Sequence, residues 1–112
     1  GVIEDDEKLA QEAITSGIEK IGSLYVVFTT ASRFSPICDR LYPYDKLLIY
    51  TPNELMYYGK EINSIKKILK PYTPISNIFW GGGINGFLGI ARNILTTKEI
   101  FDIVEQIKRL EL

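Results

Sequence analysis

The sequence contains no histidine and only one cysteine, Cys38. Without histidine, the chain cannot form a Ser-His or Cys-His nucleophile pair, and it has no imidazole for acid–base chemistry near neutral pH. A zinc or copper site rich in His and Cys ligands is excluded as well. A lone cysteine cannot close an intrachain disulfide, which favours a reducing compartment. We therefore expect a cytoplasmic protein without a metal site or a cofactor, and we do not expect an enzyme.

The chain also lacks an excess of charge of one sign and any long apolar run. Its 13 basic and 14 acidic residues give a net charge of -1 and are interspersed. This pattern is not typical of proteins that bind nucleic acid or an anionic membrane. No stretch approaches the roughly 20 apolar residues that cross a bilayer. The 112 residues, 46% of them hydrophobic, fit a single globular domain over 1–112.

Hydrophobic periodicity predicts the elements of the first half. Residues 5–21 show helical spacing, and Gly22 is placed to stop that helix. Residues 24–30 and 46–50 are apolar on both faces, which is typical of buried strands. Between these strands, Ser35 can cap a helix whose first position is Pro36, and Pro43 ends this short helix.

Residues 51–70 admit two interpretations. Thr51, Pro52 and Glu54 match the start of a helix, and apolar residues at 55, 58, 62, 65 and 69 trace one helical face. We predict one helix on these grounds. The alternative is a hairpin, in which strand 46–50 turns at Pro52 and Asn53 into a strand over 55–58. A backbone ladder between 55–58 and 47–50 would decide for the hairpin.

The second half reads as a hairpin followed by a helix. Residues 75–80 and 87–92 are predicted strands, and Asn85-Gly86 between them is the signal of a type I′ turn with both residues at positive φ. Thr96 and Glu99 mark the start of a helix over 97–110. The predicted order is a helix followed by βαβαββα, a mixed α/β sheet with parallel pairing in its first half and antiparallel pairing in its second.

This order resembles the thioredoxin-like superfamily with one extra helix in front. The resemblance rests on Thr73-Pro74 before the third strand, on the hairpin and closing helix within 76–110, and on Ser35-Pro36-Ile37-Cys38 after the first strand. It implies a cis peptide at Pro74, and it matches Cys38 to the second, resolving cysteine of a Cys-x-x-Cys motif. Ser35 replaces the first cysteine, so the redox motif is degenerate. If 55–58 is a strand, the alternative is a sheet of antiparallel strands between helices, as in roadblock- or profilin-like domains.

Cys38 is the only candidate nucleophile. A position in the first turn of a helix lowers the pKa of a thiol, and Arg33 and Arg40 add positive charge nearby. The plainer interpretation is a buried thiol that acts as a small apolar group.

The glycine-rich segment 81–86 is the candidate ligand site. It contains the G-x-G-x-x-G spacing that brings a pyrophosphate to a helix N-terminus in dinucleotide-binding folds. No further strand–helix–strand unit follows it, so a hairpin turn explains Asn85-Gly86 better. The candidate ligand-binding residues are Gly81, Gly82, Gly83, Asn85 and Gly86.

Tyrosine is plentiful, and tyrosine and tryptophan are enriched at protein interfaces. A domain of this size cannot bury all of these rings while each polar tip keeps a hydrogen-bond partner, so some should form an exposed patch. The candidate interface residues are Tyr42, Tyr44, Tyr57, Tyr58 and Trp80, with Tyr72 as a further member of the group.

These observations favour a non-catalytic protein-interaction or assembly module that associates with itself. Closed two-fold dimers are the commonest way to cover such a patch, and we expect a homodimer that buries on the order of 1,000 Å² or more. Two alternatives stay open: a single-cysteine thiol protein that uses Cys38, and a protein that binds phosphate or a nucleotide at 81–86.

Overall fold

The computed structural model describes residues 2–82 and 85–112, with side chains from residue 7 onward. Over these ranges the chain forms a mixed α/β fold, as the sequence predicts. The elements in chain order are α1 (Val2–Gly17), β1 (Glu19–Ile21), β2 (Leu24–Phe28), α2 (Ser35–Leu41), β3 (Lys46–Thr51), β4 (Glu54–Gly59), α3 (Ile62–Leu69), a 3-10 turn (Ile75–Asn77), β5 (Ile78–Gly81), β6 (Gly86–Ile90) and α4 (Thr97–Arg109).

The strands form one six-stranded sheet in the order β1-β2-β3-β4-β6-β5. β2 and β3 are parallel and are joined through α2, which confirms the predicted crossover between the two buried strands. The other neighbours pair antiparallel. The edges of the sheet are therefore β1 and β5.

Helices pack on both faces of the sheet because its central strands are apolar on both sides. α3 and α4 cover one face, where Ile65, Ile100 and Ile103 join the buried side chains of β2, β3, β4 and β6. On the other face, Ala10 of α1 and Ile37 of α2 pack against residues of β2 and β3. This second hydrophobic cluster is smaller than the cluster under α3 and α4, and it lies on only part of its face of the sheet.

The predicted helix over 51–70 is wrong in its first half. Leu47 pairs with Tyr58 and Leu48 with Tyr57 in the antiparallel ladder of β3 and β4, so the hairpin alternative is right. The Thr51 hydroxyl does accept a hydrogen bond from a backbone N–H, that of Asn53, but this bond closes a turn instead of capping a helix. Helical structure begins only at Ile62.

The thioredoxin-like topology is not confirmed. It required a helix directly after β3, and β4 occupies that place. In the described ranges the cis peptide precedes Pro43, and Pro74 is not preceded by one. The hairpin agrees with the premise of the roadblock- or profilin-like alternative, but the parallel pair of β2 and β3 departs from an all-antiparallel sheet. The structure thus supports a mixed α/β fold and no named family.

The helix predicted over 5–21 also ends early. Gly17 closes α1 at φ 146°, and residues 19–21 form the short edge strand β1, which pairs back onto β2 through the turn at Gly22. A strand of three residues is too short to show an alternation of apolar and polar side chains. Its residues therefore fit the helical spacing of the segment before it.

The C-terminal half follows the sequence more closely. α4 begins with the predicted capping box: the Thr96 hydroxyl accepts from the Glu99 N–H, and the Glu99 carboxylate accepts from the Thr96 N–H. β5 and β6 form the predicted hairpin. Gly86 is the first residue of β6 and does not have a positive φ, so that detail was wrong. The φ of Asn85 depends on Ile84, which lies outside the described residues. In the part of the chain described, no helix is long and apolar enough to cross a membrane.

Candidate functional site

Among the residues that the structure describes, helices leave half of one sheet face uncovered. α1 and α2 pack over β2 and β3, whereas the same face of β4, β6 and β5 carries apolar side chains that reach the surface. Phe79 is 42% exposed and Phe87 is 40% exposed. The strand registers place all of these side chains on one side. We call this surface the open face; its members are Met56, Phe79, Gly81, Phe87 and Gly89.

Two glycines make the open face flat. A Cβ atom at Gly89 would overlap the Met56 sulfur and would lie 2.7 Å from the Phe79 ring, and a Cβ at Gly81 would lie 2.7 Å from the Phe87 ring. The apolar side chains of one strand therefore lie across the glycine backbone of the next, a packing known to support strands with glycine. The result is a smooth apolar surface with no charged member.

A cleft adjoins one end of the open face. Its volume is about 620 Å³, within the usual range for small-molecule sites. It brings together two groups that the sequence singled out separately, the tyrosines and the glycine-rich segment. The lining residues are Tyr42, Pro43, Tyr44, Asp45, Tyr58, Gly59, Lys60, Gly82, Asn85, Gly86 and Phe87.

Cys38 lies behind the cleft, against two of its tyrosines. Burial raises the pKa of the Cys38 thiol above its ordinary value of 9.0, although hydrogen bonds with Tyr58 and Tyr44 act in the opposite direction. Burial and the neighbouring thiol raise the pKa of Tyr44 to about 12, and they raise the pKa of Tyr58 as well. At neutral pH all three groups are protonated, so they form a neutral polar cluster.

The surroundings of Cys38 differ from those expected for a reactive thiolate. The N-cap of α2 is Phe34 and not Ser35 as predicted; this cap makes no side-chain hydrogen bond, and its carbonyl accepts a hydrogen bond from the Cys38 N–H. The Arg40 guanidinium turns towards α1, where it pairs with Glu7 at 2.6 Å. Neither the helix end nor this arginine activates the sulfur, which favours the plainer interpretation of Cys38 as a half-buried apolar group.

We predict that alkylation of Cys38 requires an unusually high pH. Because only the thiolate reacts, the pH at which the rate with iodoacetamide reaches half its maximum reports the thiol pKa. In the folded protein this midpoint should lie above 9.0, the direction in which burial moves it. The same reaction in urea, where the burial is removed, should give a lower midpoint. A folded-state midpoint below that of the unfolded chain would contradict this and restore the thiol hypothesis.

Of the candidate interface tyrosines, Tyr42, Tyr44 and Tyr58 line the cleft, whereas Tyr57 lies elsewhere. Tyr57 is 1% exposed in the core, and its hydroxyl donates to the Lys60 carbonyl, so it is not available to a partner. Tyr42 is 77% exposed, and its ring lies 6.3 Å from that of Tyr44 at the mouth of the cleft. Tyr72 is half-buried and accepts a hydrogen bond from Gln106.

Trp80 lies on the opposite side of the edge strand β5 from the open face. Its ring is 47% exposed, and the ammonium of Lys66 in α3 lies 4.2 Å from the ring centroid. This contact is a cation–π interaction. Trp80 therefore belongs to a different surface from Tyr42 and Tyr44.

The glycine-rich segment does not lead into a helix. β6 begins at Gly86, so no helix N-terminus follows the glycines, as a dinucleotide-type phosphate loop would require. Gly82, Asn85 and Gly86 line the cleft, and Gly81 lies under Phe87 on the open face. Gly83 lies outside the described residues.

Sequence reasoning missed the residues that define the open face. Met56, Phe79 and Phe87 were assigned to strands or to a helix but not to a site. The available signal was the alternation of glycine with aromatic residues in 79–81 and 86–89, which marks a strand whose glycines accommodate large neighbours.

A second exposed aromatic cluster lies on the face covered by α4. The Tyr50 ring lies 5.3 Å from that of Phe28 and 5.8 Å from that of Phe101, both in edge-to-face geometry. Phe28 is 42% exposed, the same fraction as Phe79. Phe28 is thus a matched reference for Phe79 on another surface.

No known protein family and no curated protein matches this chain.

Proposed function

We propose that this protein is a non-catalytic interaction module that associates with itself through the open face. The observation that carries the proposal is the uncovered half of the sheet, where Phe79 and Phe87 are exposed beside Met56. Single exposed apolar residues are ordinary on soluble proteins, but a contiguous group on one surface is typical of a binding site.

The two ends of the open face carry charges of both signs. Glu54 and Arg92 lie 3.8 Å apart at one end, and Asp45 and Lys60 line the cleft at the other. A second copy has the same pattern, and because each end carries one charge of each sign, a two-fold arrangement brings no net repulsion to the contact. A different partner with a charged contact surface would form no favourable electrostatic interaction with the uncharged centre of the open face. A second copy of this chain is therefore the occupant that fits best.

The area of the open face determines how tightly we expect two copies to associate. Three strands about 4.8 Å apart, each with roughly five residues, give a flat area of roughly 200–300 Å². Two copies would bury roughly 400–600 Å² in total, which is less than the roughly 1,000 Å² expected from the sequence and less than the roughly 1,600 Å² of a stable complex, even if the exposed rings beside the open face add to the contact. We therefore expect a reversible dimer with a dissociation constant in the micromolar range rather than a permanent one.

Sedimentation equilibrium across a concentration series tests the proposal. Between about 1 and 500 μM the mass should rise from that of the monomer to that of the dimer and then stop, with a dissociation constant below about 100 μM. Added salt should leave the constant unchanged or lower it, because apolar burial is not weakened by screening. A monomer over the whole range would contradict the proposal, and so would growth beyond the dimer.

A further inference from the structure

Two charged side chains of opposite sign, those of Asp45 and Lys60, belong to the lining of the cleft. Each lies one position beyond the last pair of the β3–β4 ladder, Lys46 with Gly59. Among the residues described, neither side chain forms a salt bridge. The cleft therefore offers one carboxylate and one ammonium to a ligand.

Two perpendicular aromatic rings line the same cleft as the Asp45 carboxylate. The planes of Tyr42 and Tyr44 are inclined by 86°, and their centroids are 6.3 Å apart. Asp45 follows Tyr44 directly in the chain. Perpendicular rings beside a carboxylate are the arrangement that binds methylated ammonium groups, because the ring faces attract a cation whose own hydration is weak.

The charge balance of the cleft disfavours other ligands. A nucleotide carries several negative charges, but Lys60 is the one cation among the lining residues that the structure describes, and Asp45 would repel a phosphate. A simple cation would be repelled by Lys60 in the same way. A ligand with one charge of each sign satisfies both groups.

We propose that the cleft binds a small zwitterion with a methylated ammonium group. The ammonium lies in the corner of Tyr42 and Tyr44 against Asp45, and the anionic end pairs with Lys60. This inference goes beyond the self-association proposed above and does not depend on it.

Glycine betaine and glycine form a matched pair of probes, since they differ in the methyl groups on nitrogen. In titrations followed by the backbone amide resonances of Gly59, Asn85 and Gly86, betaine should bind at least about tenfold more tightly than glycine. Choline, which lacks the anionic end, should bind more weakly than betaine. Equal affinities for betaine and glycine, or no response to betaine at about 100 mM, would overturn the proposal; affinities that weak fall outside specific recognition.

Variants that each remove one charge of the cleft test which residue binds which end of the zwitterion. Asp45→Asn should weaken both betaine and choline, whereas Lys60→Gln should weaken betaine and leave choline unchanged or improve it. Lys67→Gln removes an exposed lysine of α3 outside the cleft and should bind betaine as the wild type does. If Asp45→Asn and Lys67→Gln bind betaine equally, the assignment of the cleft is wrong. Phe79→Lys, which disrupts the open face, should keep full betaine affinity, so failure of the dimer and failure of the cleft are distinguishable.

Discussion

Replacing Phe79 with lysine is expected to weaken self-association by at least about 100-fold. Phe79 belongs to the edge strand β5, and its ring packs over Gly89 of β6, the middle strand of the open face, beside Met56. The substitution removes an apolar anchor and buries a charge without a partner, and a two-fold interface incurs this loss twice. Sedimentation equilibrium should therefore find a monomer at concentrations where the wild type is a dimer.

Phe28→Lys is the matched control for that variant. Phe28 has the same residue type and the same exposed fraction, 42%, but it lies on the other face, against Tyr50. The control should dimerise as the wild type does. Equal weakening by both substitutions would mean that charge in general, and not the open face, determines association. No effect of Phe79→Lys would exclude the open face as the interface.

Gly59→Ala is expected to destabilise the fold by about 3 kcal/mol or more. Gly59 has φ 123°, a conformation that alanine adopts only with strain. A Cβ atom there would also overlap the Asp45 carbonyl oxygen and lie 3.0 Å from the Lys46 Cα atom. Because these are backbone atoms of the neighbouring strand, they cannot move aside without disturbing the β3–β4 ladder. Urea unfolding followed by circular dichroism measures the loss.

Gly17→Ala separates the strain of a positive φ from the steric overlap with the neighbouring strand. Gly17 has a similar positive φ of 146°, but a Cβ atom there would meet nothing within 4 Å. This variant should lose only about 1 kcal/mol, the cost of the backbone conformation at a helix end that can adjust. If Gly59→Ala is no more costly than Gly17→Ala, the close approach of β3 and β4 at Gly59 is not as described.

The elements that the sequence predicted well carry their signal locally. Residues 47–50 of β3 are a continuous apolar run. α4 combines a capping box with an apolar helical stripe, and Lys108 and Arg109 lie in its last turn. At the length of each of these segments, its pattern fits only one kind of secondary structure. The β5–β6 hairpin was similarly recognisable from a turn signal between two short apolar runs.

The strand β4 was missed because its local signal favours the wrong structure. Thr51, Pro52 and Glu54 form a helix-start pattern, and Leu55 and Tyr58 have the spacing of a helical face. The deciding interaction is not local: Leu55 and Tyr57 are buried against α3, α4 and β6, which the chain reaches only later. Period-2 burial along β4 is visible in the structure, but Met56 and Tyr58 are apolar too, so the sequence shows no alternation.

The candidate site was predictable in kind but not in position. Abundant tyrosine indicated exposed aromatic surface, and Tyr42 and Tyr44 are at a cleft. Which rings share a surface depends on strand order, and the insertion of β6 between β4 and β5 brings Phe79 and Phe87 beside Met56. No local pattern specifies that order. The same order brings the glycine-rich segment to the tyrosines of the cleft.

The most direct test of the open face as a dimer interface uses Met56, the only methionine of the chain. A methyl-labelled sample gives one methionine resonance, and this resonance comes from a member of the open face. In a mixture of labelled and unlabelled protein, this methyl group should show nuclear Overhauser effects to aromatic protons of the unlabelled copy, and dilution to about 1 μM should shift its resonance, as for a micromolar dimer. A resonance that does not change with concentration, with contacts only to Phe79 and other rings of its own chain, would contradict self-association through the open face.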